Sequence, residues 1–248
     1  MICASVQSRP HERLGGRTRT VSRQGQILLA SIVALTALAA QGDTTFTTSS
    51  GSTLRLDGTT TLHRWRCANT QVVGVIRVPL DIEALNAFFD RVQKETVSSV
   101  GLADAFGAQT PPATTAEIRA TITAIGCGSR AMENDLQSAM KASKYPVIVY
   151  TFERLGGISL PTGKDCPGTV VLHTEGLLGL AGEERNVTVD VRVSRAAHGG
   201  FKLEADCRFK MSEFGIVPPK TLYGLVKAGD SVDARFALRL ETTRADEH

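Results

Sequence analysis

The chain has 248 residues, of which 42% are hydrophobic and 21% charged, and its formal net charge is +3. The apolar share is enough for a sizeable core, which excludes a chain disordered throughout, and the length suits one β-rich domain with extensions. The positive balance carries little weight until its distribution along the chain is known.

Five arginines (Arg9, Arg13, Arg17, Arg19, Arg23) precede the uncharged apolar run Ile27 to Ala40. That run is shorter than the roughly 20 residues that cross a bilayer. It ends in Ala37-Leu38-Ala39, a small-x-small pattern that signal peptidase accepts. A basic start, a short apolar run and such a site predict a secretory signal over residues 1–39. The expected mature protein is periplasmic or extracellular, with no stable membrane span once the signal is cleaved. Residues 1–39 hold five Arg and one Glu, so removing this +4 takes the net charge from +3 to −1. The basic balance therefore belongs to the leader, and nothing in the mature charge points to nucleic acid. Cys3 also leaves with the leader. Cys67, Cys127, Cys166 and Cys207 remain, an even count that suggests two disulfides with three possible pairings.

From Phe46 onward short alternating runs dominate. Leu54 to Asp57 alternates, and Leu62 to Cys67 follows. Val72 to Val78 is apolar on both faces. Pro79 to Val97 breaks the rhythm, with Ile82, Leu85, Phe88, Phe89 and Val92 at helical spacing and Pro79 placed to open the helix. Gly101 to Thr115, with Pro111-Pro112, reads as a loop. A strand carries Ile118 and Ile122. Ser129 to Lys144 predicts a second helix, with Ser129 as N-cap, Met132, Leu136 and Met140 on one face, and Pro146 as the stop. Val147 to Phe152 is a strand. In the clearest stretches Val187, Val189, Val191 and Val193 alternate with polar residues. So do Phe201, Leu203, Ala205, Cys207, Phe209 and Met211, and the run Val232 to Leu240 closes the domain. Period two with one apolar face marks strands covering a core, and many such strands without βαβ alternation predict an all-β antiparallel barrel or sandwich. There is no internal repeat, so one domain is expected over residues 44–243.

Catalytic constellations are not visible. His63, His173, His198 and His248 fall in no HExxH, and there is no Gly-x-Ser-x-Gly elbow or P-loop. His63 and His173 sit in strands, where a satisfied structural histidine is the commoner case. Glu183-Glu184-Arg185 reads as a charged turn. The chain is expected to be no enzyme and to carry no metal and no cofactor, other than a bound isoprenoid or lipid. Its aromatic and Met side chains cluster on strand faces. A barrel of this size either fills itself with such side chains or holds one apolar ligand, and periodicity does not decide which.

Four stretches, in order, resemble the YceI-like family of exported lipid- and polyisoprenoid-binding proteins. Thr61-Leu62-His63-Arg64-Trp65 is similar to its opening strand. Met132 through Tyr145-Pro146-Val147-Ile148 resembles its helix and Tyr-Pro turn. Leu177 to Val193, with Gly182 and Arg185-Asn186-Val187, resembles its G-x-x-R-x-V hairpin. Phe209-Lys210-Met211-Ser212-Glu213-Phe214-Gly215-Ile216-Val217-Pro218-Pro219 is close to its most specific motif. The resemblance implies an eight-stranded, lipocalin-like antiparallel barrel with one or two short helices, holding a polyisoprenoid or similar long apolar amphiphile. Against the family pattern, residues 80–115 look like an insertion containing a helix. The alternative is a non-carrier envelope stress or assembly module that acts through its surface with a filled barrel.

On strand parity Trp65, Phe152, Val189, Phe209, Met211 and Phe236 point inward and would line the ligand. Phe214, in the loop after the strand, would join them at the barrel mouth. Cys67 and Cys127 each end a strand and could meet at one barrel end, so they are the expected bridge, with Cys166–Cys207 as the second. The partner implied is an apolar small molecule or lipid, while the oligomeric state is left open.

Overall fold

The computed structural model describes residues 42–94, 114–161, 168–196, 200–221 and 225–243. The expected leader, most of the loop from Gly101, Cys166, His198, and the charged tail from Arg244 lie outside the described residues. In chain order the elements are β1 (Thr44–Thr48), β2 (Thr53–Thr60), β3 (Arg64–Asn69), β4 (Val72–Val78), α1 (Ile82–Gln93), β5 (Thr115–Thr121), β6 (Ile125–Gly126), α2 (Arg130–Ala139), β7 (Val147–Ser159), β8 (Val170–Leu180), β9 (Glu183–Arg195), β10 (Phe201–Lys210), β11 (Lys220–Thr221) and β12 (Val226–Thr242).

Three pairs of short strands each form one long bent strand. β1 and β2 both lie against β12, at Phe46↔Thr242 and Leu56↔Ala234. β3 pairs with β2 and β6, and β4 pairs with β1 and β5. The result is a closed, eight-stranded antiparallel barrel in which each long strand pairs with the next and the last returns to the first. Closure removes the exposed edges that an open sheet would present.

The bends have a local cause. At the β1–β2 break, Ser52 is buried, donates to the Ser49 carbonyl, and accepts from the Arg239 backbone N–H. At the β3–β4 break, Asn69 is fully buried, donates to the Thr121 carbonyl, and accepts from Gln71 N–H. Each side chain supplies hydrogen bonds to backbone groups at the kink, where the ladder is interrupted.

The two ends of the barrel differ. α1 starts later than its pattern predicts. Asp81, not Pro79, begins it by accepting from the Ala84 N–H at 2.6 Å. Its Leu85, Phe88, Phe89 and Val92 are all buried. Phe89 stacks at 5.0 Å on Phe201, an inward residue of β10, and Arg195 holds the helix through Asp90 and Asn86. α1 therefore stoppers one end. α2 ends at Ala139, short of the expected Lys144, because Lys141 turns the chain at a positive φ. Ser129 makes no side-chain cap, and instead Glu133 reaches back to accept from Cys127 N–H at 2.9 Å. No residue of α2 is fully buried, so this helix lies over the opposite end without plugging it.

At the α2 end, β8 and β9 join through Ala181-Gly182, both at positive φ, as a tight two-residue hairpin requires. A Cβ on Gly182 would lie 2.3 Å from the Tyr145 ring. The Tyr-Pro turn and the glycine of the hairpin are thus one packing unit, although they lie far apart in the chain.

Candidate ligand-binding cavity

The even positions of β2 and β8 and the odd positions of β9 and β10 face inward. They enclose a cavity of about 230 Å³ in the middle of the barrel. Its wall includes Leu54, Tyr150, Leu172, Leu178, Ala205 and Phe236. An apolar cavity of roughly 150 Å³ already stays dry and takes up small hydrocarbons. The few polar atoms in the wall are mostly occupied with one another. Thr174 donates to the Val189 carbonyl at 2.8 Å, so the Tyr150 hydroxyl, 3.2 Å from Thr174 Oγ1, is the donor of that pair. Burial pushes the Tyr150 phenol up from its ordinary value, and the Thr174 contact only partly offsets this. Tyr150 has room to lie on the wall because Gly176 carries no side chain, and a Cβ there would meet the phenol at 2.8 Å. Among the described residues the one buried side-chain polar atom without a partner is Thr114 Oγ1, which also lines this cavity.

A second chamber of about 340 Å³ lies between the barrel and α2. It shares Leu56, Met140, Leu180 and Phe209 with the first as a common wall. Met132, Leu136, Ile216 and Pro219 line it, and His63, Thr60 and Asp135 supply polar groups.

The side chains expected on the ligand surface distribute as follows. Phe152, Val189, Phe209 and Phe236 line the inner chamber, and Trp65, Phe209 and Met211 the outer one. The Trp65 ring covers Gly58, its cross-strand partner, and its Nε1 donates to the Thr59 carbonyl. Phe214 lines neither chamber. The β9–β10 ladder stops at Asp206↔Asp190, and beyond that point the strands part. Phe214, 1% exposed, fills this seam and meets Phe209 edge to face at 5.5 Å. Gly215 follows it in the left-handed region and turns the chain back toward the barrel end. Phe214, expected at the mouth, thus packs beside Phe209 and is not in the lining of either chamber.

Cys67 and Cys127 form a disulfide, as expected from their places at one barrel end. The expected Cys166–Cys207 bridge is not formed at Cys207, which is a free thiol. Cys207 sits mid-strand on the inward face of β10 and lines the inner chamber, so its sulfur is turned away from the loops. Burial pushes this thiol up, away from the reactive thiolate.

One arrangement escaped sequence reasoning. Ser159, His173 and Asp190 lie side by side on β7, β8 and β9, with Ser159 Oγ 2.9 Å from His173 Nε2 and His173 Nδ1 2.7 Å from Asp190 Oδ1. Only the registers Ser159↔Val171 and His173↔Asp190 reveal it. The order of groups is that of a hydrolase triad. The three side chains, however, project from the outer wall and line neither chamber. The imidazole, bonded at both nitrogens, clips three strands together. Among the described residues no group of three or more His, Cys, Asp or Glu could hold a metal ion.

A family model described as the YceI-like domain matches residues 40–240. The chain belongs to the YceI-like family. Curated protein sequences yield no match. Among solved structures, the YceI-like barrel is similar to BcnA of Burkholderia cenocepacia, with a TM-score of 0.50 and 14% identity over 77% of this chain and 96% of that one. It is also similar to a polyisoprenoid binding domain from Saccharophagus degradans implicated in plant cell wall breakdown, with a TM-score of 0.52 and 10% identity over 80% of this chain and 98% of that one. At such identities the likeness speaks to the fold, which agrees with the closed eight-stranded barrel. Among the described residues of this YceI-like protein no helix is long and apolar enough to cross a membrane.

Proposed function

We propose that this YceI-like protein is an exported carrier that holds a polyisoprenoid, or a similar long apolar amphiphile, inside its barrel. The observation that carries the reading is the inner cavity of about 230 Å³ with its hydrocarbon wall. A barrel serving only as a surface module has no use for such a space, since unfilled volume in a core costs stability. Each CH₂ moved from water into the cavity contributes roughly 0.8 kcal/mol, so a long isoprenoid gains affinity without any charged partner. The outer chamber extends the space beneath α2, and its His63, Thr60 and Asp135 suit the polar end of an amphiphile. The polyisoprenoid binding domain with the same fold supports the choice of ligand class. Export is supported by the leader pattern over residues 1–39 and by the Cys67–Cys127 bridge, a bond of oxidising compartments.

Native mass spectrometry of the purified protein, with extraction of any copurified lipid, tests the reading. A hydrocarbon-rich adduct, or uptake of added geranylgeraniol, is expected. Replacing Ala205, on the cavity wall, with Phe should abolish it. A protein that stays ligand-free when geranylgeraniol is supplied would overturn the carrier role.

A further inference from the structure

We propose that the α2 end of the barrel docks on a lipid bilayer surface, an inference that rests on the carrier reading above. Five large hydrophobic side chains are exposed among the described residues, and three of them gather here: Leu62 at 72%, Val217 at 77% and Leu225 at 78%. They come from separate loops that the fold ties together. Thr61 N–H donates to the Lys227 carbonyl, Thr61 Oγ1 donates to the Leu225 carbonyl, and Ala228 N–H donates to the Pro219 carbonyl. Single exposed apolar residues are ordinary on a protein surface, but a group of three on one end is not.

The occupant follows from what the patch adjoins. The outer chamber is lined by the same segments, through Ile216, Pro219 and Val226, so the patch is continuous with the ligand space. The other end is stoppered by the buried face of α1, which leaves this end for exchange of the ligand. A long isoprenoid resides in a bilayer and is nearly insoluble in water, so a carrier that loads without exposing its cargo must bring this opening to the membrane. Arg64 and Lys227, both exposed, flank the patch and carry the sign that phosphate headgroups attract. Apolar side chains that reach the acyl boundary with cations above them describe an interfacial contact, not a span.

The test is flotation of the mature protein with vesicles of phosphatidylcholine and phosphatidylglycerol. The wild type should float. A Leu62→Ser, Val217→Ser, Leu225→Ser variant should partition at least about tenfold less. Val73 and Val75 are also exposed, on the outer wall of β4, and a Val73→Ser, Val75→Ser variant should float like the wild type. Emission from Trp65, the single tryptophan, and the unfolding midpoint establish that each variant is folded. The triple variant should still take up geranylgeraniol presented in detergent-free solution. Equal flotation of the triple variant and the wild type, or no flotation of the wild type, would overturn the docking face. Flotation without uptake of geranylgeraniol by any form would overturn the carrier reading and leave the docking face standing.

Discussion

Phe214→Ala separates a wall-sealing role from a ligand-lining one. Phe214 is 1% exposed, so truncation loses the full transfer energy of the ring and leaves a hole. Phe→Ala at such a site costs about 3–5 kcal/mol. The edge-to-face contact with Phe209, at 5.5 Å and 80°, accounts for about 0.5–1.5 kcal/mol of this sort of loss. The seam is held apart by two paired strands, β9 on β8 and β10 on β12, so it can collapse little. The expected cost is therefore no lower than the middle of the range, about 4 kcal/mol. With an m-value of about 2–3 kcal/mol/M, the urea midpoint should fall by about 1.3–2 M. Trp65 fluorescence reports the transition. Because Phe214 lines neither chamber, affinity for geranylgeraniol in the absence of urea should stay within about threefold of wild type, well under the tenfold that 1.4 kcal/mol represents. A midpoint that hardly moves, together with a tenfold loss of affinity, would refute the sealing role and return Phe214 to the ligand surface.

Gly58→Ala would place a Cβ 2.2 Å from the Trp65 ring. The indole must shift, with a changed emission maximum and a stability loss of about 1–3 kcal/mol; unchanged emission would show that the ring does not rest there. Replacing Cys67 and Cys127 together with Ala removes a crosslink spanning 60 residues, for which the loop-entropy relation gives about 4 kcal/mol, measured as the difference in urea unfolding free energy. Thr114→Val removes the unpartnered buried hydroxyl and should stabilise the protein by about 1 kcal/mol; calorimetry would expose a hidden partner as a loss instead. Burial alone would raise the Asp206 carboxyl, but hydrogen bonds and charge from Arg235 and Arg192 hold it below its ordinary 3.8, and Arg66 and Arg55 do the same for Asp57. Such depressed groups stabilise the fold above the unfolded-state value, and that stability is lost as pH falls through the lower folded-state value. Acid unfolding curves should therefore be less steep below about pH 4 in an Asp57→Asn, Asp206→Asn variant, and an unchanged slope would remove these pairs from the account.

The sequence by itself determined what depends on local periodicity. Val187 to Val193 and Phe201 to Phe209 alternate because one face of each strand must leave water, and that rule needs no knowledge of neighbours. The same reasoning located both helices and the apolar stripe by which α1 is buried. Their boundaries were less legible, because Asp81 caps through a bond to Ala84 and Lys141 breaks α2 by its backbone angle. The Cys67–Cys127 bridge was readable because both cysteines were expected near one barrel end, although Cys67 lies within β3 and Cys127 just beyond β6. What only the tertiary structure decided rests on register between distant segments. The parting of β9 from β10 gives Phe214 its place, a mid-strand position turns Cys207 into the cavity, and side-by-side pairing brings Ser159, His173 and Asp190 together. The cavity is of the same kind. Alternation says that Leu54, Ala205 and Phe236 face inward, but whether eight such faces meet or leave space between them depends on barrel radius and on the volumes of side chains from opposite walls, which no single strand contains.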